Sequence, residues 1–286
     1  MKALVEQDVS AKCWSEYDKL EKVIVCQPEH MEIQEVINDV QKKYEDENID
    51  KEIAQSQHEQ FTKTLEHHGV EVVKLPSSKQ YPEQVFTRDI GFTLGEELFV
   101  AEMASEIRDG EEQVLENWLE QTDTEFLKLD VNRIEGGDVI IDRDTVYVGV
   151  SGRTSMEAVR ELQGKLPHQK VIPVTFDEKY LHLDCVFNIL SEDTALIHRN
   201  ALEPEMVQHL EEKYTLLDVC EQEQFTMGTN VLSIGDQKVL SLPVNEKVNK
   251  KMRKHGFNVL EVDFSEIIKS GGSFRCCSMP VERVGR

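Results

Sequence analysis

A thiol pair lies in a glycine-rich stretch near the C-terminus, Ser270-Gly271-Gly272-Ser273-Phe274-Arg275-Cys276-Cys277-Ser278-Met279-Pro280. Glycines let such a turn lift a side chain clear of the core, where a ligand can reach it. Far upstream stand Arg88-Asp89, the run Glu135-Gly136-Gly137-Asp138 and the run His182-Leu183-Asp184. Nucleophile, base and several carboxylates together are what attack on a cationic carbon requires. Either Cys276 or Cys277 could be the nucleophile. Neighbours on an extended strand point opposite ways, so one of them should face the site, and spacing does not choose.

Among nine histidines His182 stands apart, whereas His67, His68, His168 and His255 fall at expected helix ends or loops. Asp184, two residues on in an extended segment, shares its face and could orient the imidazole or bind substrate beside it. The competing reading is a satisfied core histidine. Glu135 precedes two glycines, which let the backbone turn tightly while the carboxylate enters a cavity. Several buried carboxylates are costly without a cation. No histidine pair or dense oxygen-ligand loop stands at metal spacing, so a cationic ligand is favoured over a metal, and no cofactor is implied. Arg153, in Ser151-Gly152-Arg153-Thr154-Ser155, follows a strand and precedes a helix, which suits it to gripping a carboxylate. A solvated loop arginine is the alternative for Arg153, and Arg108 is a weaker candidate for the same task.

The rest of the chain must place these groups. Its 286 residues, 39% hydrophobic and 30% charged, can bury a sizeable core. A formal charge of -23 argues against nucleic-acid or anionic-membrane partners and suits a cationic small molecule. No apolar run reaches membrane-spanning length, and the opening MKALVEQDVSAKCW is unlike a secretory signal. Six cysteines without zinc-ribbon spacing point to reduced thiols and a cytoplasmic protein. Cys13, Cys26, Cys185 and Cys220 adjoin apolar residues and are expected in the core. The composition is compatible with a homo-oligomer and does not fix one.

Strand-like runs recur at residues 70–75, 125–130, 170–176, 215–219 and 258–263, their starts 55, 45, 45 and 43 residues apart. His68-Gly69, Gln163-Gly164 and His255-Gly256 read as helix stops before three of them. A second series, Asp89, Asp138, Asp184, Asn230 and Cys276, has intervals of 49, 46, 46 and 46. Four of its members open short β-like stretches, each followed by a turn and, in most units, a second strand. Such a period predicts five strand-and-helix units closed into a ring, with equivalent points facing one central axis. The series would then gather at one mouth. Ile33, Val36, Ile37 and Val40 read as one helical stripe, and residues 50–68 as a second helix with Ile53, Phe61 and Leu65 inward. No linker or composition break appears, so a single domain over residues 1–286 is expected.

Phe86-Thr87-Arg88-Asp89, Ile134 to Asp138, Gly149 to Ser155, His182 to Asp184 and Gly271 to Pro280 together resemble the guanidine-modifying superfamily. That group includes arginine deiminases, dimethylarginine dimethylaminohydrolases and amidinotransferases. The resemblance implies an α/β fold, the five-bladed ββαβ pseudo-symmetric propeller called pentein. It selects Cys276 as nucleophile, His182 as general acid/base and Glu135 as the third catalytic residue. It assigns Asp89 and Asp184 to the guanidinium, and Arg153, with Arg108 matching loosely, to the substrate carboxylate. The implied reaction is hydrolysis of a guanidinium C–N bond of arginine or an N-methylated arginine, to citrulline plus ammonia or an amine, through a Cys thiouronium. Length resembles the compact dimethylarginine hydrolases, whereas the acidic third position of His182-Leu183-Asp184 departs from them and suits a nitrogen that still carries hydrogen. An amidinotransferase, with an amine replacing water, and a non-catalytic binding propeller are the alternatives.

Overall fold

The computed structural model describes residues 11–129 and 133–285. Most of the opening segment read as unlike a signal, and Asp130 at the end of one expected strand, lie outside the described residues. β1 (Lys19–Cys26) leads through α1 (Asp39–Tyr44) and α2 (Lys51–His67) to β2 (Glu71–Leu75), which pairs in parallel with β1 from Lys22↔Glu71 to Cys26↔Leu75. α2 begins where the Asp50 carboxylate accepts the N–H groups of Glu52 and Ile53, and it ends at Gly69 with φ +85°. Ala54, His58, Phe61 and Leu65 are its buried stripe. Ile53, expected inward, is 46% exposed because it lies one position, about 100° of helix, off that stripe.

The stripe expected from Ile33 to Val40 is mostly not helical. Asn38 caps α1 by accepting from Gln41 N, while the N–H groups of Ile33 and Ile37 go to the side chains of Asn48 and Gln41. Side-chain acceptors thus take the donors a helix would have used.

β3 (Gly91–Leu94) and β4 (Glu97–Val100) pair antiparallel and are followed by α3 (Glu111–Gln121). The strand expected over 125–130 is a single bridge, Phe99 to Leu127, because its side chains are mostly exposed or half-buried and hold no longer ladder. Next come β5 (Val139–Asp142), β6 (Thr145–Val150), α4 (Met156–Lys165) and β7 (Lys170–Thr175). Gly164, read as a helix stop, lies inside α4, which ends at Lys165 with Leu166 as its cap. β8 (Phe187–Ser191), β9 (Thr194–Ile197), α5 (Pro204–Glu211) and β10 (Thr215–Asp218) repeat the plan. After the short α6 (Glu221–Phe225), so do β11 (Leu232–Gly235), β12 (Lys238–Ser241), α7 (Glu246–Lys254) and β13 (Asn258–Glu261). β14 (Met279–Val284) then pairs antiparallel with β1.

Each unit is an antiparallel pair, a helical crossover and a strand parallel to the pair's second member, the third strand shrinking to the Leu127 bridge in one unit. The unit made of β14, β1, α2 and β2 draws on both ends of the chain and so closes the ring. Cores form between neighbours: Ile140 and Tyr147 of one sheet pack with Phe187, Ile189 and Ile197 of the next. Leu190, Leu196 and Leu217 in turn pack with Val231, Val239 and Val248. The architecture is the expected five-unit α/β propeller. The six cysteines are free thiols; Cys13, Cys26 and Cys185 are buried, but Cys220, expected in the core, is exposed at the start of α6. No helix among the described residues is long and apolar enough to cross a membrane.

Candidate active site

The series Asp89, Asp138, Asp184, Asn230 and Cys276 lies in the tight turns that open the units, and every member is buried. Hydrogen bonds stitch those turns into a circle. Arg88 N donates to Cys276 O (2.9 Å), Gly136 N to Asp89 O (3.2 Å) and Leu183 N to Asp138 Oδ1 (2.9 Å). Thr229 Oγ1 donates to Cys185 O (2.5 Å), and Ser273 N and Cys276 N both donate to Asn230 Oδ1 (3.1 Å each). Each turn holds the next, so side chains far apart in sequence share one rigid frame.

The glycines of Glu135-Gly136-Gly137-Asp138 have different neighbours. A Cβ on Gly136 would run into the carbonyl oxygen of Arg88, and one on Gly137 would lie 2.7 Å from the His182 ring and 2.8 Å from Asp89 Oδ1. Gly136→Ala is therefore expected to destabilise the protein by about 2–3 kcal/mol through backbone overpacking. Urea unfolding checks this, and an unchanged midpoint would show that the two turns can part.

His182 Nε2 is 2.7 Å from Glu135 Oε2, and Nδ1 is 3.6 Å from Asp89 Oδ1. Glu135 is fixed by Ala104 N donating to Oε1 (2.9 Å), with Arg153 Nη1 3.8 Å from the same oxygen. Arg108 donates from Nη1 to Asp89 Oδ2 (2.6 Å) and from Nη2 to Glu111 Oε2 (2.8 Å). Asp89 Oδ1 is buried without a hydrogen-bond partner. Across the site Asp184 Oδ2 accepts from Arg275 Nη1 (2.7 Å) and faces the Cys276 sulfur at 3.5 Å, while Asn230 Nδ2 donates to that sulfur (3.0 Å).

Two local expectations change. Leu183–Cys185 form a 3₁₀ turn, not an extended segment, because Asp138 pulls in Leu183 N. His182 consequently meets Glu135 and Asp89, whereas Asp184 meets Arg275 and Cys276. Residues 274–277 are likewise a turn, in which Cys277 N bonds to Ser273 O, so strand alternation does not separate the two cysteines.

A narrow cavity is walled by Glu83, Phe86, Asp89, Arg108, His182, Gly272 and Cys276, among others. Cys277, Arg153, Glu135 and Asp184 are not on its wall; Glu135 and Asp184 stand directly behind His182 and Cys276. A roomier hollow adjoins it, sharing Leu181 and Gly271; its lining includes Cys185 but no histidine. The smaller cavity is the chemical centre. Asp89, Glu135 and His182 bring ligand-type atoms within 4.8 Å of one another. Two of those atoms already bond each other, and a metal there would have to replace that pair.

Charge sets the protonation states. Burial opposes a charged His182, but Asp89, the bond to Glu135 and Asp138 outweigh it and hold the imidazolium well above its ordinary range. Burial likewise pushes Glu135 up, yet the bond and charge of His182, with Arg108 and Arg153, bring it well below the usual carboxylate range. The Cys276 thiol is driven well up by burial and by the charges of Asp184 and Asp89. The site thus sets a charged acid beside a neutral thiol.

Sequence reasoning assigned no role to Asn230, Arg275, Glu83 or Glu111. Asn230 carried a signal, its place in the periodic series. Glu83, whose carboxyl is raised to about 7 by burial and accepts from Ser270 Oγ and Gln41 Nε2, carried none.

A family model described as N,N dimethylarginine dimethylhydrolase, eukaryotic, matches residues 27–283. The uncharacterised protein YkgA of Bacillus subtilis is 51% identical over 271 residues, 95% of each chain. The bifunctional arginine dihydrolase/ornithine cyclodeaminase ArgZ of Synechocystis is 25% identical over 91% of this chain and 37% of its own length. In structure, the N-terminal domain of ArgZ with bound product superposes with a TM-score of 0.84 at 23% identity, over 93% of this chain and 98% of that one. SxtG, an amidinotransferase from Microseira wollei, superposes equally well, TM-score 0.84 at 17% identity, over 96% and 98%. These likenesses establish the fold, and the match over 27–283 establishes the lineage. The chain belongs to the dimethylarginine dimethylhydrolase family, within the guanidino-group-modifying superfamily that also holds arginine deiminases and amidinotransferases.

Proposed function

We propose that the chain hydrolyses a guanidinium C–N bond of arginine or an N-methylated arginine, giving citrulline and ammonia or an amine. The observation that carries this reading is the buried Asp89 Oδ1, without a hydrogen-bond partner and 3.6 Å from His182 Nδ1, in the cavity that also holds the Cys276 thiol. A planar cation satisfies such an oxygen with an N–H and offsets the negative charge that keeps the thiol neutral. Substrate binding and thiolate formation are then coupled, the Sγ proton leaving to solvent as the cation enters, because the imidazolium already holds its own.

The thiolate attacks the guanidinium carbon, and His182⁺ gives its proton to the departing nitrogen. The neutral imidazole next accepts a proton from water as that water adds to the thiouronium, and expulsion of the Cys276 sulfur leaves the ureido product. Glu135 stabilises the imidazolium in the first step. Arg108, already on the wall, can turn from Asp89 to a substrate carboxylate. Relatives named arginine deiminase and arginine dihydrolase support an arginine-type substrate.

The test is a panel of arginine, mono- and dimethylarginines, agmatine and free guanidino acids, with and without glycine. Ureido product with equimolar ammonia or amine, unaffected by glycine, is the expected result. Amidino transfer to glycine would identify a transferase, and a folded protein inert to every compound would leave only binding.

A further inference from the structure

We propose that Asn230 is the positioning residue of the nucleophile, its amide N–H holding the Cys276 sulfur while its amide oxygen locks the loop that carries that sulfur. This rests on the reading of Cys276 above and extends it to a residue with no part in that mechanism. The orientation is unambiguous: Oδ1 accepts from Ser273 N and Cys276 N, so the group 3.0 Å from Sγ must be the NH₂. Asn230 O also accepts from Arg275 N at 3.4 Å. One fully buried side chain and its own carbonyl thus grip three of four consecutive residues around the thiol.

The charge pattern shows why an amide belongs here. Of the five equivalent turn positions, three carry aspartate, one carries Cys276, and the one donating to its sulfur carries asparagine. Asp184, Asp89, Cys185 and Cys277 act on the sulfur, and each disfavours an anion there. Arg275 stands behind Asp184 and is occupied by it. Against these, Asn230 Nδ2 supplies an N–H that strengthens when the sulfur becomes negative. The thiol's contact with Asp184 Oδ2 turns repulsive at the same moment. Aspartate at 230 would keep the shape and the oxygen that accepts from both backbone N–H groups but place a third carboxylate against the sulfur.

Asn230→Asp separates the two functions of the side chain. The full-length protein is treated with iodoacetamide across a pH series, label at Cys276 is quantified by mass spectrometry, and kcat, KM and melting are measured alongside. The alkylation midpoint is expected to rise by about one to two pH units, the size of a hydrogen bond to a charged group. At neutral pH kcat should fall about 10- to 100-fold while KM stays near the parent's, and the added buried carboxylate should lower the melting temperature. A clamp with no electrostatic part predicts an unmoved midpoint and kcat, and that result overturns the proposal. If Asn230→Asp gives no cooperative melt, Asn230→Ser is read by the same alkylation curve, and an unmoved midpoint there overturns it equally. An active Cys276→Ser defeats the nucleophile reading, whereas an inactive Cys276→Ser with an unmoved Asn230→Asp midpoint defeats only this inference.

Discussion

Cys276→Ser is expected to lower kcat by about 10⁴-fold or more, while Cys277→Ser keeps kcat within about tenfold of the parent. The two residues are neighbours in one turn and both buried, so exposure does not distinguish them. Their surroundings do. The Cys276 sulfur has an N–H donor in Asn230, a carboxylate in Asp184 and a place on the cavity wall beside His182. Both belong to the apolar cluster with Phe61, Phe86 and Phe274, but Cys277 is off the cavity wall, and burial drives its thiol well up with no side-chain donor reaching the sulfur among the described residues. A serine alkoxide at 276 is far harder to form beside two carboxylates than a thiolate, hence the size of the loss. At 277 the cost is structural: a hydroxyl in apolar surroundings should take about 1–3 kcal/mol from stability. Steady-state kinetics and urea unfolding on both variants decide the matter. Equal losses of kcat, or a larger one at 277, would defeat the assignment.

The sequence carried the ring more clearly than the site. The positions 89, 138, 184, 230 and 276 are legible because each unit must open with a turn at the axis, and repeated geometry leaves a repeated interval. Gly69 and Gly256 are legible for a local reason, since only a left-handed residue stops those helices cleanly. Gly164 misleads because a glycine within a helix is tolerated at about 1 kcal/mol and need not end it. What sequence could not show is which buried charges meet. Arg275 precedes Cys276 yet reaches Asp184 in another unit, and Arg108 reaches Asp89 and Glu111 together. Such pairings are fixed by how neighbouring units abut, and no periodicity or motif encodes that. Asp184 shows both sides: its presence was legible, but its direction depended on a turn that Asp138 imposes from the preceding unit.

Removing the proton donor should cost nearly as much as removing the sulfur. His182→Gln is expected to lower kcat by about 10³- to 10⁴-fold, because the imidazolium is the charged acid on the cavity wall that also carries the Cys276 thiol. Glu135→Gln tests the same residue more finely. Without the carboxylate 2.7 Å away, burial pulls the imidazole back toward neutrality, so the alkaline limb of activity should move to lower pH. Stability should follow with a definite sign. Glu135 is lowered from 4.5 on folding, so its contribution is fully present above pH 4.5 and fades as pH falls below it. His182 is raised from 6.5, so its contribution is fully present below pH 6.5 and is lost as pH climbs toward the folded value. The stability gap between parent and Glu135→Gln should therefore be widest between pH 4.5 and 6.5 and shrink on either side, which urea unfolding across pH can measure. A gap that instead grew from pH 6.5 upward would mean that His182 is neutral in the folded protein. The acid of the first step would then have to be some other group.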